Sequence, residues 1–128
     1  MTLLRLNIAG VKEPEVVAKG EYQVKLVGVE LRTSKSGGQY LNASVAVDAE
    51  NAPLIFHVMM LPAGDEHDNL RLLNIKRFCN AFGISEDDGF EFDTENKMIG
   101  VKNLRASAFI DVEEDPEYGT RNVIKRWA

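Results

Sequence analysis

A chain of 128 residues, 45% hydrophobic and 27% charged, has the composition of one soluble globular domain able to bury a core of its own. No apolar run reaches the roughly 18 residues that cross a bilayer, the first ten residues are too interrupted for a signal-peptide core, and the single cysteine, Cys79, excludes an internal disulfide or a cysteine-pair zinc site. The net charge of −5 argues against a uniformly basic nucleic-acid binder, but the acids gather in turn-like segments (65–68, 86–88, 93–95, 111–115) while most bases lie elsewhere, so the local field matters more than the total.

Residues 1–19 read as an N-terminal arm, because Pro14 breaks any helix there, and residues 20–128 as the domain proper. Gly20 starts a long strand whose alternation changes phase. Tyr22, Val24 and Leu26 point one way, then Val27, Val29 and Leu31 the other, which predicts a bulge or bend at Gly28. A flexible loop over 33–38, rich in serine and glycine around Lys35, leads to a second strand. There Leu41, Ala43, Val45 and Val47 alternate with Tyr40, Asn42, Ser44 and Ala46, one set inward and the other outward.

After a turn at 50–52, Pro53 opens a third strand that is apolar on both faces, so both are expected to be covered, with Phe56 in the core. Pro62 ends it. Asp68 is the expected N-cap of a helix over 69–82, with Leu72, Ile75, Phe78, Cys79 and Phe82 as its apolar stripe and Gly83 as its C-cap. In that pattern Cys79 is a packing residue. Residues 84–100 read as a polar connection with a short helical turn ending at Gly100. A fourth strand then places Leu104, Ala106, Ala108, Ile110 and Val112 inward and Asn103, Arg105, Ser107, Phe109 and Asp111 outward, and a fifth runs over 120–127. The order β-β-β-α-β-β with a bent first strand is that of a mainly β, five-stranded, OB-like Greek-key barrel.

The segments Gly20-Glu21-Tyr22, Thr33-Ser34-Lys35-Ser36-Gly37-Gly38, Ile55-Phe56-His57 with Met60-Leu61-Pro62, Lys76-Arg77-Phe78-Cys79-Asn80-Ala81-Phe82-Gly83, and Glu117-Tyr118-Gly119-Thr120-Arg121-Asn122-Val123-Ile124-Lys125, in this order, resemble a family of small bacteriophage proteins. Its members are single-stranded DNA-binding proteins, or proteins of unknown function, often encoded among recombination and replication genes. The resemblance spans about residues 3–127. It implies an OB-like protein that coats transient single strands in the cytoplasm of a bacterial host during phage DNA replication or recombination. Self-association and phage recombinase or replication partners are expected, with no membrane and no cofactor. Many such binders end in an acidic tail, whereas this chain ends Lys125-Arg126-Trp127-Ala128.

A single-strand binder needs cations for phosphates and aromatic platforms for bases. Arg32, Lys35, Arg105, Lys125 and Arg126 are the expected phosphate contacts. Tyr40 and Phe109, on outward faces, are the expected platforms, with Trp127 either a platform or a core plug. Lys76 and Arg77 are set aside because the helix of such a barrel usually packs at its far end. The expectation is a non-enzymatic protein. No nucleophile with a partner and no phosphate-cradling loop is present, and Asp65, Glu66, His67 and Asp68, the one cluster suggesting a metal-dependent nuclease, read as a cap and turn. A docking or dimerisation module of a recombination complex is the alternative reading.

Overall fold

A computed structural model describes residues 3, 4, 6, 9, 15–85, 90–117 and 119–128. Five strands, β1 (Gly20–Thr33), β2 (Gln39–Val47), β3 (Leu54–Met60), β4 (Arg105–Asp115) and β5 (Gly119–Trp127), and one helix, α1 (Asp68–Phe82), follow in the expected order. The strands make one open antiparallel sheet in the order β3-β2-β1-β4-β5, with α1 between β3 and β4 in the chain. Among the described residues, no helix is long and apolar enough to cross a membrane.

β1 is the spine. Its first half pairs with β4, Gly20 opposite Ile110 through Lys25 opposite Arg105, and its second half pairs with β2 as far as Thr33 opposite Gln39. The expected phase change is present. Leu26 faces Val45 and Gly28 faces Ser44, leaving Val27 as the extra, exposed residue of a bulge that keeps Val24, Leu26 and Val29 on one buried side. Where β1 leaves β4, the segment before β4 takes over its free edge. The Leu26 N–H donates to the Leu104 carbonyl (2.7 Å), the Met98 N–H to Val29 (2.8 Å) and the Leu31 N–H to Asn96 (2.8 Å). Residues 92–98 are therefore a small hairpin rather than the expected helical turn. The Asp93 carboxylate, accepting the N–H groups of Glu95 and Lys97, stabilises a reversal of the chain where a helix would have continued in one direction.

The core lies between the curled sheet and the C-terminal half of α1. Phe78 is fully enclosed, and Ile75, Cys79 and Phe82 join Leu26, Leu41, Ala43, Val45, Ile55, Met59, Val101, Ala108 and Ile110 around it. The helix ends as expected: Gly83 adopts the left-handed conformation (φ 70°), and the Ile84 N–H reaches back to the Cys79 carbonyl (2.8 Å). Its start differs in two respects. Asp68 is the first helical residue rather than the cap, its carboxylate accepting the N–H groups of Ala63 (2.8 Å) and Gly64 (2.9 Å) from the preceding loop. Leu72 is exposed, because α1 meets the sheet only from Ile75 onward.

β3 and β5 are the edges of the hydrogen-bonded order, yet they approach each other across a seam, where the His57 ring stands edge-on to Trp127 at 5.3 Å. Described residues of the arm cover one end of this seam. The buried Asn122 of β5 accepts the Val17 N–H (2.8 Å) and donates to the Val17 carbonyl (2.9 Å), while the Glu15 N–H reaches Asn51 in the β2–β3 turn (3.1 Å). The arm thus ties the two sheet edges together. Residues 10–14, including Pro14, lie outside the described residues.

Candidate functional site

Side chains directly opposite one another in antiparallel strands share a face, so the register sets out the outer surface in rows. Met60, Tyr40 and Arg32 form one; Val58, Asn42 and Glu30 the next; Phe56, Ser44 and Gly28 a third; and Leu54, Ala46, Lys25 and Arg105 a fourth that crosses four strands. Beyond it, Gln23 stands beside Ser107, and Glu21, Phe109 and Arg126 make a last row across β1, β4 and β5. Of the expected site residues, Arg32, Tyr40, Arg105, Phe109 and Arg126 share this face, but along a curved surface as long as β1. Lys35 is exposed in the loop above the first row.

That loop is a tight turn. The Ser34 N–H donates to Gly38 (2.7 Å), the Gly37 N–H to Ser34 (3.0 Å), and Gly37 sits at φ 92°, a conformation that disfavours a β-carbon. Arg32 beside it is held by Glu30, through Nε at 3.0 Å and Nη2 at 2.5 Å, so part of its charge is already balanced. Lys25, Lys35, Arg105 and Lys125 have no carboxylate within ion-pair range among the described residues. Lys25, not among the expected contacts, stands between Ala46 and Arg105 and makes a two-cation step in the middle of the face.

The most conspicuous feature is one that alternation in the sequence misassigns. β3 presents Leu54, Phe56, Val58 and Met60 to solvent, with Phe56 60% exposed, while only the opposite parity, Ile55 and Met59, is buried. Phe56 is therefore a surface residue and not part of the core: α1 and the sheet interior cover one face of β3, and no described element covers the other. In the adjacent row the half-buried Asn42 has an enclosed Oδ1 with no hydrogen-bond partner, an unfavourable state for an amide oxygen unless a donor is supplied.

Phe109 is half-buried beneath the Arg126 guanidinium, whose carbon lies 4.3 Å from the ring centroid, so cation and platform occupy each other. Trp127 turns inward opposite Ala108 and packs against Phe78 (5.8 Å), Phe82 (5.1 Å) and His57 (5.3 Å); it is chiefly a plug at the edge of the core. Lys125 is the extra residue of a bulge on β5, between Arg126 opposite Phe109 and Ile124 opposite Ile110. Lys125 and Trp127 thus belong to a groove between β3, α1 and β5 rather than to the outer face.

The acidic cluster is taken up by the start of α1. Arg71 donates to Asp65 (2.6 Å) and to Asp68 (2.9 Å). The Arg71 hydrogen bond is the main reason the Asp65 carboxyl sits below its ordinary pKa, and the Ala63 N–H is the main reason for Asp68. Both carboxylates thus have structural partners. No curated protein matches this chain. A family model does, over residues 5–122, and the chain accordingly belongs to the family described as "Protein of unknown function (DUF669)".

Proposed function

We propose that this protein binds single-stranded DNA without strong sequence preference, as a non-enzymatic coating protein of phage replication or recombination, and that its sheet is an OB barrel left open between β3 and β5. The observation that carries this reading is the exposed row on β3, with Phe56 at its centre and Tyr40, Asn42 and Ser44 beside it. In OB domains the face of strands two and three, together with the first hairpin loop, takes oligonucleotides. Here that face offers two aromatic side chains for stacking, amide and hydroxyl groups for base edges, and Lys35 and Arg32 at the loop end with Lys25 and Arg105 below. The bent first strand shared by both half-sheets, the position of α1 and the approach of β3 to β5 favour the barrel. The resemblance to phage single-strand binders points the same way.

Fluorescently labelled single-stranded oligonucleotide, with duplex of the same sequence beside it, tests the reading at two salt concentrations. Preference for the single strand is expected, with affinity falling as salt rises by about 0.7 in logarithmic slope for each phosphate contacted. Phe56→Ala is expected to weaken binding by about 1–3 kcal/mol, the usual contribution of one stacked base. Equal binding of duplex and single strand, or affinity flat in salt, would refute it. The aliphatic members of the row, Leu54, Val58 and Met60, favour a second reading in which another copy of the chain or a recombination partner covers the face. A Phe56→Ala variant that loses self-association or partner capture while keeping its DNA affinity would select it.

A further inference from the structure

The groove between β3, α1 and β5, of about 680 Å³, is a place where cations gather on an acidic protein. Arg77, Lys125 and Arg126 line it together with Asn74, Asn80 and His57, and among the described residues no aspartate or glutamate side chain does. Some exposed bases elsewhere are neutralised locally, Arg32 by Glu30, Lys97 by Glu95 and Arg121 by Glu113, whereas Lys25, Lys35 and Arg105 at the outer face have no such partner among the described residues. Arg77, Lys125 and Arg126 have no carboxylate within 4 Å among the described residues, and the Arg126 guanidinium lies over the Phe109 ring.

The local structure produces this gathering. Positions 74, 77 and 80 are three apart and form a stripe along α1, flanking the buried stripe of Ile75, Phe78, Cys79 and Phe82. Asn74 and Asn80 therefore lie about one turn before and one turn after Arg77, and all three line the groove. On the opposite wall the β5 bulge makes Lys125 the unpaired extra residue, so that both it and Arg126 line the groove. A groove of this kind, cations spaced along two walls with neutral donors between them, suits a run of phosphodiesters better than a carboxylate ligand, for which one bidentate arginine would suffice.

We infer that this groove is a second contact for the backbone of the same single strand, carrying it off the sheet face and past the end of the seam. This rests on the proposed single-strand binding and assigns the path. Two residues connect the surfaces: Val58 lines the groove and stands between Phe56 and Met60 in the exposed row, and Arg126 lines the groove and covers Phe109 on the outer face. Arg77 is the distinguishing residue, since it lies on the helix and outside every strand of the outer face.

The test uses the full chain and oligonucleotides of about 4 and about 16 nucleotides, the two ends of the range covered by one such domain. The Arg77→Gln/Lys125→Gln double variant is expected to bind the long oligonucleotide on the order of tenfold more weakly at low salt, with the logarithmic salt slope smaller by about 1.4, two phosphate contacts' worth. Its binding of the short one should match the unsubstituted protein, and Lys97→Gln should behave as the unsubstituted protein with both. A double variant with unchanged affinity and slope for the long oligonucleotide overturns the groove and leaves single-strand binding standing. Equal losses on long and short overturn the assigned path. No single-strand binding by the unsubstituted protein overturns both readings at once.

Discussion

The two faces of β3 differ little in apolarity and completely in environment. Ile55 and Met59 are 1% and 2% exposed, against α1 and the sheet interior, while Phe56 and Val58 on the same seven residues are 60% and 52% exposed. Side-chain chemistry alone therefore does not decide what a strand buries; the element packed against it does. The inner face of β3 serves stability, and its outer face is free to serve as a surface for something else.

The sharpest way to break this comparison is to truncate one residue of each face. Met59→Ala should cost about 2–5 kcal/mol, because the enclosed site cannot collapse around the lost atoms. Phe56→Ala should change stability by no more than about 0.5 kcal/mol, as for a surface residue with no special role. Urea denaturation of the two variants under one buffer decides it. If Phe56→Ala costs as much as Met59→Ala, the outer face is covered in solution, and the dimer or partner reading gains.

The next largest effect concerns the seam, where the outer face gives way to the edge of the sheet. Asn122 donates to and accepts from the Val17 backbone and also reaches the Asp111 carbonyl at 3.3 Å, so one side chain fixes the arm across the seam. Asn122→Ala leaves those backbone groups without their partner and should cost about 1–3 kcal/mol. The arm should also become more open to proteolysis near Val16 and Val17. A variant as stable and as resistant as the unsubstituted protein would mean the arm is held by apolar contact alone.

Which of these features the sequence discloses follows from how each is encoded. The element order, the bulge in β1, the inward set of β2 and the glycine end of α1 are local: alternation, helical spacing and a left-handed glycine each act within a few residues. The exposed face of β3 is not local. Both parities of Leu54 to Met60 are apolar, and whether a face is covered depends on α1, which comes later in the chain and meets the sheet only from Ile75. Arg77 escapes a local reading for a related reason, since the groove it lines exists only when β5 returns beside the helix. A signal was present in Asn74, Arg77 and Asn80, three polar residues at three-residue spacing beside the apolar stripe. Asp68 stands one position inside the helix rather than at its expected cap, because an acidic residue at a helix start caps the helix or secures the preceding loop, and the choice rests on the turn at Gly64.

The smallest expected effect lies at His57, where the two faces of β3 meet the seam. Burial pulls the His57 pKa below its ordinary value, since an imidazolium there would lose its water. Arg77, Lys125 and Arg126 line the same groove, and among the described residues no carboxylate side chain there offsets a new positive charge. In the unfolded chain the imidazole takes up its proton near about pH 6.5. The folded protein binds that proton only at lower pH, so between these two values the unfolded state holds more protons and stability falls as pH falls. The contribution is complete above about pH 6.5 and disappears through the folded pKa. The acidic pair at the start of α1 has the same sign but acts at lower pH, because the folded pKa values of Asp65 and Asp68 lie below the ordinary carboxylate range. Urea midpoints for the unsubstituted protein and for His57→Gln, measured from about pH 7.5 to about pH 5.5, separate the two, since glutamine removes the imidazole and leaves the carboxylates in place. The unsubstituted protein should lose stability over that interval and the variant should lose less. Parallel curves would mean that the seam opens enough to hydrate His57, and the edge-on contact with Trp127 would then not be what holds β3 against β5.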